Sequence, residues 1–311
     1  MCVGVSATLL LFCEGTQKLG RRRLWAFASG GDRTVGDFLQ CVFKPDLAGL
    51  DAVLVRSGSL EARLAGTMED VRRAQRLRYQ VFFEEGGAIP NPTARRLRRD
   101  VCHFDSVCDH LLVFDEALRA SDGSHRLVGV YRLLRQEVAE SNFGFYSSGE
   151  FDVDSLIARH PSMRLLEVGR VCVAPTHRRK HVLEALWRGI WAYASHHKID
   201  ALIGCASLPG ANAADHIDAI CALAAGGDQS WRASPRPECA GMLAPRAAPP
   251  IANAGLLLRA LPPIVKGYWR LGATFSAVPA IDRDFGVTDL FVAVPLHSVD
   301  RRYLRHFAHA A

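Results

Sequence analysis

Two apolar runs, residues 164–173 and 201–207, flank a long amphipathic stretch at 179–197 whose Leu183, Leu186, Trp187, Ile190 and Ala194 share one helical face. A helix crossing between two adjacent strands makes this an α/β chain, and the remaining strands are mostly joined by hairpins. Leu60, Ala62 and Leu64 alternate as a short strand. Thr67 and Asp70 are spaced as a capping box ahead of Val71, Ala74, Leu77 and Val81, which recur at helical intervals. Residues 110–115 and 126–134 read as a hairpin turning at Ser121, Asp122 and Gly123. Helices at 212–225 and 264–270 and strands at 273–281 and 288–296 complete the pattern, without an internal repeat.

The 311 residues suffice for one large domain, read as 57–300. Residues 1–56 show no sustained period, carry Gly30, Gly31 and Gly36, and read as a poorly ordered extension. Met68 already lies inside a recognisable element, which suggests a non-Met start near Val53 or Val55. Residues 226–250, rich in Gly, Pro and Ala, read as a loop or insertion, and 301–311 as a basic tail.

A net charge of +6 spread along the chain does not make the dense basic footprint of a nucleic-acid binder; it suits an acidic partner or an anionic membrane surface. The 9 cysteines are odd in number and lack C-x-x-C spacing, which points to reduced, buried thiols rather than a disulfide framework or zinc site. No apolar run is long enough to span a bilayer, and Arg21, Arg22 and Arg23 follow the apolar opening instead of preceding it, so a cytoplasmic protein is expected. G-x-S-x-G, H-E-x-x-H and P-loop motifs are all missing from the sequence.

The unusual feature is charge inside apolar strands: Arg132 in 128–134, and Glu167 and Arg170 in 165–173. Such side chains are costly to bury unless paired or used, and a structural ion-pair network would employ the same residues. Glu167 and Arg170 are three apart, so a regular strand points them to opposite faces; a bulge at Gly169 would turn both toward one site. Arg78, Phe82 and Glu85 fall on one helical face, where an arginine either clamps a carboxylate or snorkels to water. Asp105 and Asp109 share helical spacing and would suit the distal amine of a diamino acid, or simply a turn or cap. Cys172 and Cys205 read as packing residues, since no histidine is placed by local sequence to activate either.

Taken together, residues 77–85, 104–113, 130–134, 167–170, 186–187, 204–207, 266–273 and 282–289 resemble the ornithine-lipid acyltransferases, a branch of the GNAT superfamily close to the acyl-homoserine-lactone synthases. The shared skeleton is Arg78 and Phe82, Asp105, Arg132, and the Glu-x-x-Arg of Glu167 and Arg170. Cys102 replaces the first Asp of an Asp-x-x-Asp pair and no tryptophan follows Phe82, two departures that favour the ornithine-lipid branch over the lactone branch. The resemblance implies a GNAT fold: a mixed, mostly antiparallel sheet flanked by helices. The glycine-rich loop that cradles coenzyme A's pyrophosphate at a helix N-terminus is replaced here by Arg178, Arg179, Lys180 and His181. That substitution fits the phosphopantetheine arm of acyl carrier protein as donor.

The implied reaction moves a 3-hydroxyacyl chain from acyl carrier protein to the α-amine of L-ornithine, with no bound cofactor and no metal. Glu167 would act as base, Arg170 and Arg132 would hold the substrate carboxylate, and Arg78, Phe82, Asp105 and Asp109 would shape the amino-acid site. Arg178, Arg179, Lys180, Cys172 and Ser207 would face the carrier arm, and backbone N–H groups between strands 164–173 and 201–207 would steady the thioester oxyanion. The partners expected are acyl carrier protein, L-ornithine, the surface of the inner membrane and a second acyltransferase acting on the product, with no nucleic acid. An acyl-homoserine-lactone synthase, and a non-catalytic carrier- or membrane-binding module, are alternatives that sequence leaves open.

Overall fold

The computed structural model describes residues 49–178, 180–242, 261–300 and 302–303. Strands β1 (Val53–Ser57) and β2 (Leu60–Leu64) form a hairpin. Helix α1 (Met68–Tyr79) follows, capped by Thr67, whose hydroxyl oxygen accepts from the Asp70 N–H at 3.1 Å. The helix then widens into a π-helical turn, Gln80–Glu85, so Phe82 and Glu85 do not continue the face begun by Arg78. After α2 (Pro92–Leu97) and a 3-10 turn at His103–Ser106 come the long hairpin strands β3 (Asp109–Arg119) and β4 (His125–Arg135). Short elements follow: α3 (Gln136–Ser141), a 3-10 turn at Tyr146–Gly149, and α4 (Val153–Arg159). Strand β5 (Leu165–Val173), helix α5 (Lys180–His196) and strand β6 (Ala201–Pro209) form the crossing unit. Helices α6 (Ile217–Ala224) and α7 (Pro263–Arg270) and strands β7 (Thr274–Phe275), β8 (Ala280–Asp282) and β9 (Val287–Pro295) complete the described chain.

The sheet runs β1-β2-β3-β4-β5-β6-β9-β7, with β8 also on β9. Every pairing is antiparallel except β5 with β6, which is parallel because the helical crossover returns the chain in the same direction. This is the mixed, mostly antiparallel sheet flanked by helices of the GNAT fold. Helix α5 lies so close over one face that a Cβ on Gly129 would come within 2.8 Å of Val182. The other face carries α1 on the N-terminal half. A second apolar cluster, including Phe145, Phe151, Leu165, Trp231 and Phe291, covers that face beyond β5.

Three sequence expectations change. The sheet begins at Val53 rather than after residue 56; residues 1–48 lie outside the described residues. The stretch at 273–281 is two short strands, interrupted before Pro279, rather than one. Residues 226–242 are not a free loop: Trp231 is buried and stacks on His160, and bridges join Phe151 to Pro235 and Ala240 to Ala280. Residues 243–250 lie outside the described residues, as does the tail except for 302–303.

Candidate active site

The β5–β6 ladder has only three register pairs, Leu165 with Ala201, Leu166 with Leu202 and Glu167 with Ile203. Both strands continue, so they splay from Val168 and Gly204 onward. A Cβ on Gly204 would sit 2.5 Å from the Val168 carbonyl oxygen, so only glycine allows this close approach at the fork. A small cavity of about 50 Å³ opens there, lined among others by Arg132, Tyr146, Glu167 and Cys205.

One residue past Gly169, β5 bulges. Arg132 pairs with Gly169 and Val130 with Cys172, leaving an extra residue on β5, and Arg170 adopts φ +52°. A left-handed backbone at a non-glycine residue is strained and persists only where its surroundings fix it. The bulge carries Arg170 to the face that holds Glu167, where its Nη2 donates to the Tyr146 hydroxyl at 3.2 Å. Arg132 and Arg170 both lie against the Tyr146 ring, at 5.1 and 4.9 Å from its centroid, and Arg170 also covers Phe285 at 4.3 Å.

These arginines end a chain of buried ion pairs. Arg132 reaches Asp105 at 3.3 Å; Arg78 reaches Asp105 at 2.7 Å and Asp100 at 2.8 Å; Arg170 approaches Asp100 at 3.7 Å. Asp105 further accepts from Gln75 at 2.9 Å and from the Cys102 N–H at 3.2 Å. Burial alone would raise the Asp105 pKa, but the Arg78 and Arg132 guanidinium groups overcome it and hold the carboxyl far below its usual range. His110, whose Nε2 donates to the Asp105 carbonyl oxygen at 3.0 Å, is pushed down to about 4 by burial and stays neutral. Arg78 therefore does not snorkel: it is 1% exposed and ties α1 to the strands.

Glu167 is buried, and both its oxygens are engaged. Oε2 accepts from the Tyr146 N–H at 2.7 Å, and Oε1 from the Ser147 N–H at 2.7 Å and from the Ser147 hydroxyl. Burial raises its pKa, against these hydrogen bonds. The carboxylate expected to act as a base thus anchors the 146–149 turn, with Oε2 accepting one bond and Oε1 two, which leaves a lone pair on Oε2.

The other expected residues divide. Phe82 packs on Phe285 at 5.9 Å, at the margin of the site. Asp109 does not join Asp105: it opens β3 on the opposite face, accepting from Tyr193 of α5 at 2.6 Å. The spacing of four suggested one helical face, but a 3-10 turn and a strand intervene. Arg178 is held by Glu85 through both terminal nitrogens. Arg179 and the Lys180 side chain lie outside the described residues. Cys172 is buried with its thiol pKa pushed up by burial, which suits a packing residue. Ser207 is exposed on β6 and faces Asp289 across the ladder.

Sequence reading missed Asp100, Tyr146, Phe285 and a group of three carboxylates, Glu150, Asp282 and Asp289, whose oxygens lie within 4.8 Å of one another. Asp289 carried a usable signal, a charge inside an apolar strand like that of Arg132. Tyr146 carried none, since its place depends on β5 and Glu167. The Cys205 thiol, which lines the cavity, lies 3.8 Å from Glu150.

Residues 77–188 match the acetyltransferase (GNAT) domain family. The chain is 44% identical to the L-ornithine N(alpha)-acyltransferase of Agrobacterium fabrum over 259 residues, 81% of this chain and 86% of that one. It is 43% identical to the protein of the same name from Rhizobium meliloti over 258 residues, 82% and 86% of the two chains. Among solved structures, an N-acyl amino acid synthase from uncultured soil microbes aligns over 78% of this chain and 93% of its own, with 12% identity and a TM-score of 0.44.

Proposed function

The chain belongs to the GNAT acyltransferases, in the family of its L-ornithine N(alpha)-acyltransferase relatives, and from that premise we propose that it transfers a 3-hydroxyacyl chain from acyl carrier protein to the α-amine of L-ornithine, giving a lyso-ornithine lipid. The observation that carries this reading is the 44% identity extending over 86% of a relative so named. The geometry supports it in kind. The splay of β5 and β6 leaves backbone groups without ladder partners, to receive a thioester beside two arginines that suit an amino-acid carboxylate.

In the proposed reaction the neutral α-amine attacks the thioester carbonyl, the C–N bond forms and the C–S bond breaks. The amine nitrogen gives up one proton to Glu167, directly or through water, and the amide keeps the other N–H; the leaving carrier thiolate takes up one proton, which balances the step. Glu167 is the base this reading names, taking the proton on the remaining lone pair of Oε2. Arg170 and Arg132 hold the carboxylate. N–H groups of the bulge and the fork stabilise the oxyanion.

The donor is acyl carrier protein rather than acyl-coenzyme A, because the glycine-free stretch at 178–183 crowds the backbone approach a pyrophosphate needs. A cytoplasmic protein meeting the inner membrane at its surface fits a lipid product, which a second acyltransferase would extend. No helix among the described residues is long and apolar enough to cross a membrane.

Purified protein given 3-hydroxyacyl carrier protein should acylate L-ornithine and not S-adenosylmethionine, with lyso-ornithine lipid detected by mass spectrometry. Acylation of S-adenosylmethionine instead, or no new lipid with either, would overturn the reading. Carrier-bound donor should outperform the matching coenzyme A thioester and lose its advantage as salt rises.

A further inference from the structure

Glu150 closes the 146–149 turn, Asp282 ends β8 and Asp289 lies within β9, so three separate segments bring their carboxylates together beside β6. Asp289 is 4% exposed, and its Oδ1 is buried without a hydrogen-bond partner. Among the described residues no lysine, arginine or histidine forms an ion pair with any of the three; Arg170, which acts on them electrostatically, is turned to Tyr146 and Asp100. An unpaired, buried carboxylate oxygen costs free energy unless a donor arrives. The partners present are few: Asp289 shares side-chain hydrogen bonds with Ser207 and with Glu150, which leave Oδ1 unmet. Asp282 Oδ1 accepts from the N–H groups of Asp284 and Phe285 at 2.9 Å each, and Glu150 accepts from the Cys205 thiol at 3.8 Å.

The two halves of the site carry opposite charge. The ion-paired chain from Arg132 to Arg170 holds three guanidinium groups against Asp105 and Asp100, one positive charge in excess. The triad has three carboxylates and, among the described residues, no ion-paired cation. Between them lie Tyr146 and the cavity, which Arg132 lines at one side and Cys205, in contact with Glu150, at the other. A molecule with a carboxylate at one end and a cation at the other fits that polarity.

We propose that Glu150, Asp282 and Asp289 form the recognition site for the distal ammonium of the acceptor amino acid, and so set its specificity for a diamino acid. An alkylammonium has three N–H donors and no acceptor, matching three converging carboxylates and giving Asp289 Oδ1 its missing partner. Burial, with repulsion from Asp289 and Asp282, pushes Glu150 up to about 9, and burial pushes Asp289 up to about 6 against a hydrogen bond from Ser207. The role expected of Asp105 and Asp109 falls to this triad, because Asp105 is neutralised by arginines and Asp109 is on the far face.

The inference rests on the proposed acyl transfer to ornithine, and the test separates the two. Initial rates are measured with L-ornithine and with L-norvaline, which has the same carbon chain without the distal ammonium. Wild type should favour ornithine by about 100-fold or more in kcat/KM, since a site built for a polar group rejects the analogue lacking it. Asp289→Asn should reduce that preference to within about 10-fold, mainly by raising KM for ornithine. Asp282→Asn, at a half-buried strand end, should move it the same way and guards against a folding defect in the first variant. Retention of the full preference by both folded variants would overturn the proposal. Equal slowing with norvaline and ornithine would also overturn it, because the triad would then serve the chemistry or the fold. Loss of ornithine preference on chelation, with rescue by magnesium or calcium, would assign the triad to a metal instead. Wild type that acylates amines but not ornithine would sink the functional reading itself.

Discussion

The molecule buries charge twice on the same face of its sheet, in two different ways. Around Asp105 each carboxylate has an arginine and each arginine a carboxylate, and the group is threaded through α1, the 100–105 segment, β4 and β5. Around Asp289 three carboxylates meet with no ion-paired cation among the described residues, and one oxygen has no partner. Ion-paired burial fixes strands and helix in place. Unpaired burial is tolerated where a ligand completes it. Desolvation is common to both regions; ion pairing distinguishes them.

The sharpest way to break this contrast is to unbalance the first region. Asp105→Ala would strand Arg132 and leave Arg78 with Asp100 alone, and should cost about 3–5 kcal/mol in urea denaturation. A loss below about 1 kcal/mol would mean the network does not hold the fold. Glu167→Gln should cost about 1–3 kcal/mol through the weakened 146–149 turn, measured by thermal melting alongside turnover. A fall in kcat of about 100-fold or more without loss of stability would instead mark it as a base and nothing else.

The triad should respond in the opposite direction. Folding raises the pKa of the Glu150 and Asp289 pair, so the folded state holds a proton that the unfolded chain has released. Stability contributed by that proton is therefore lost as pH rises between about 5 and about 9. Glu150→Gln should flatten this decline and raise stability by on the order of 1 kcal/mol near pH 9, seen as a higher melting temperature. A variant less stable than wild type at that pH would place the triad with the ion-paired region. Smallest of all, Arg178→Ala removes an exposed pair with Glu85 and should change the melting free energy by less than about 1 kcal/mol.

Much of this architecture is legible in the sequence because local period and global position agree. The capped first helix, the long hairpin and the crossing helix each repeat their apolar residues long enough to show. Segments 92–97, 136–141 and 153–159 are helices of one or two turns, too short to display a period. At the site, charge within apolar strands pointed to Arg132, Glu167 and Arg170, and Gly169 to the bulge. The same signal in Asp289 was passed over. Nothing local distinguishes Tyr146 or Glu150, because their positions depend on a turn pinned by Glu167 from a strand some twenty residues away.

The parallel seam between β5 and β6 has a consequence for the order of folding. Within β1–β5, and again within β6–β9, antiparallel pairs join segments through their own connections. The seam is three residues long and must wait for α5 to form and return the chain. Loop closure of that length costs entropy before its few contacts repay it. The two antiparallel halves can thus gain structure ahead of the seam, which closes late. Mutations at Leu165, Leu166 and Leu202 should accordingly speed unfolding more than they slow folding.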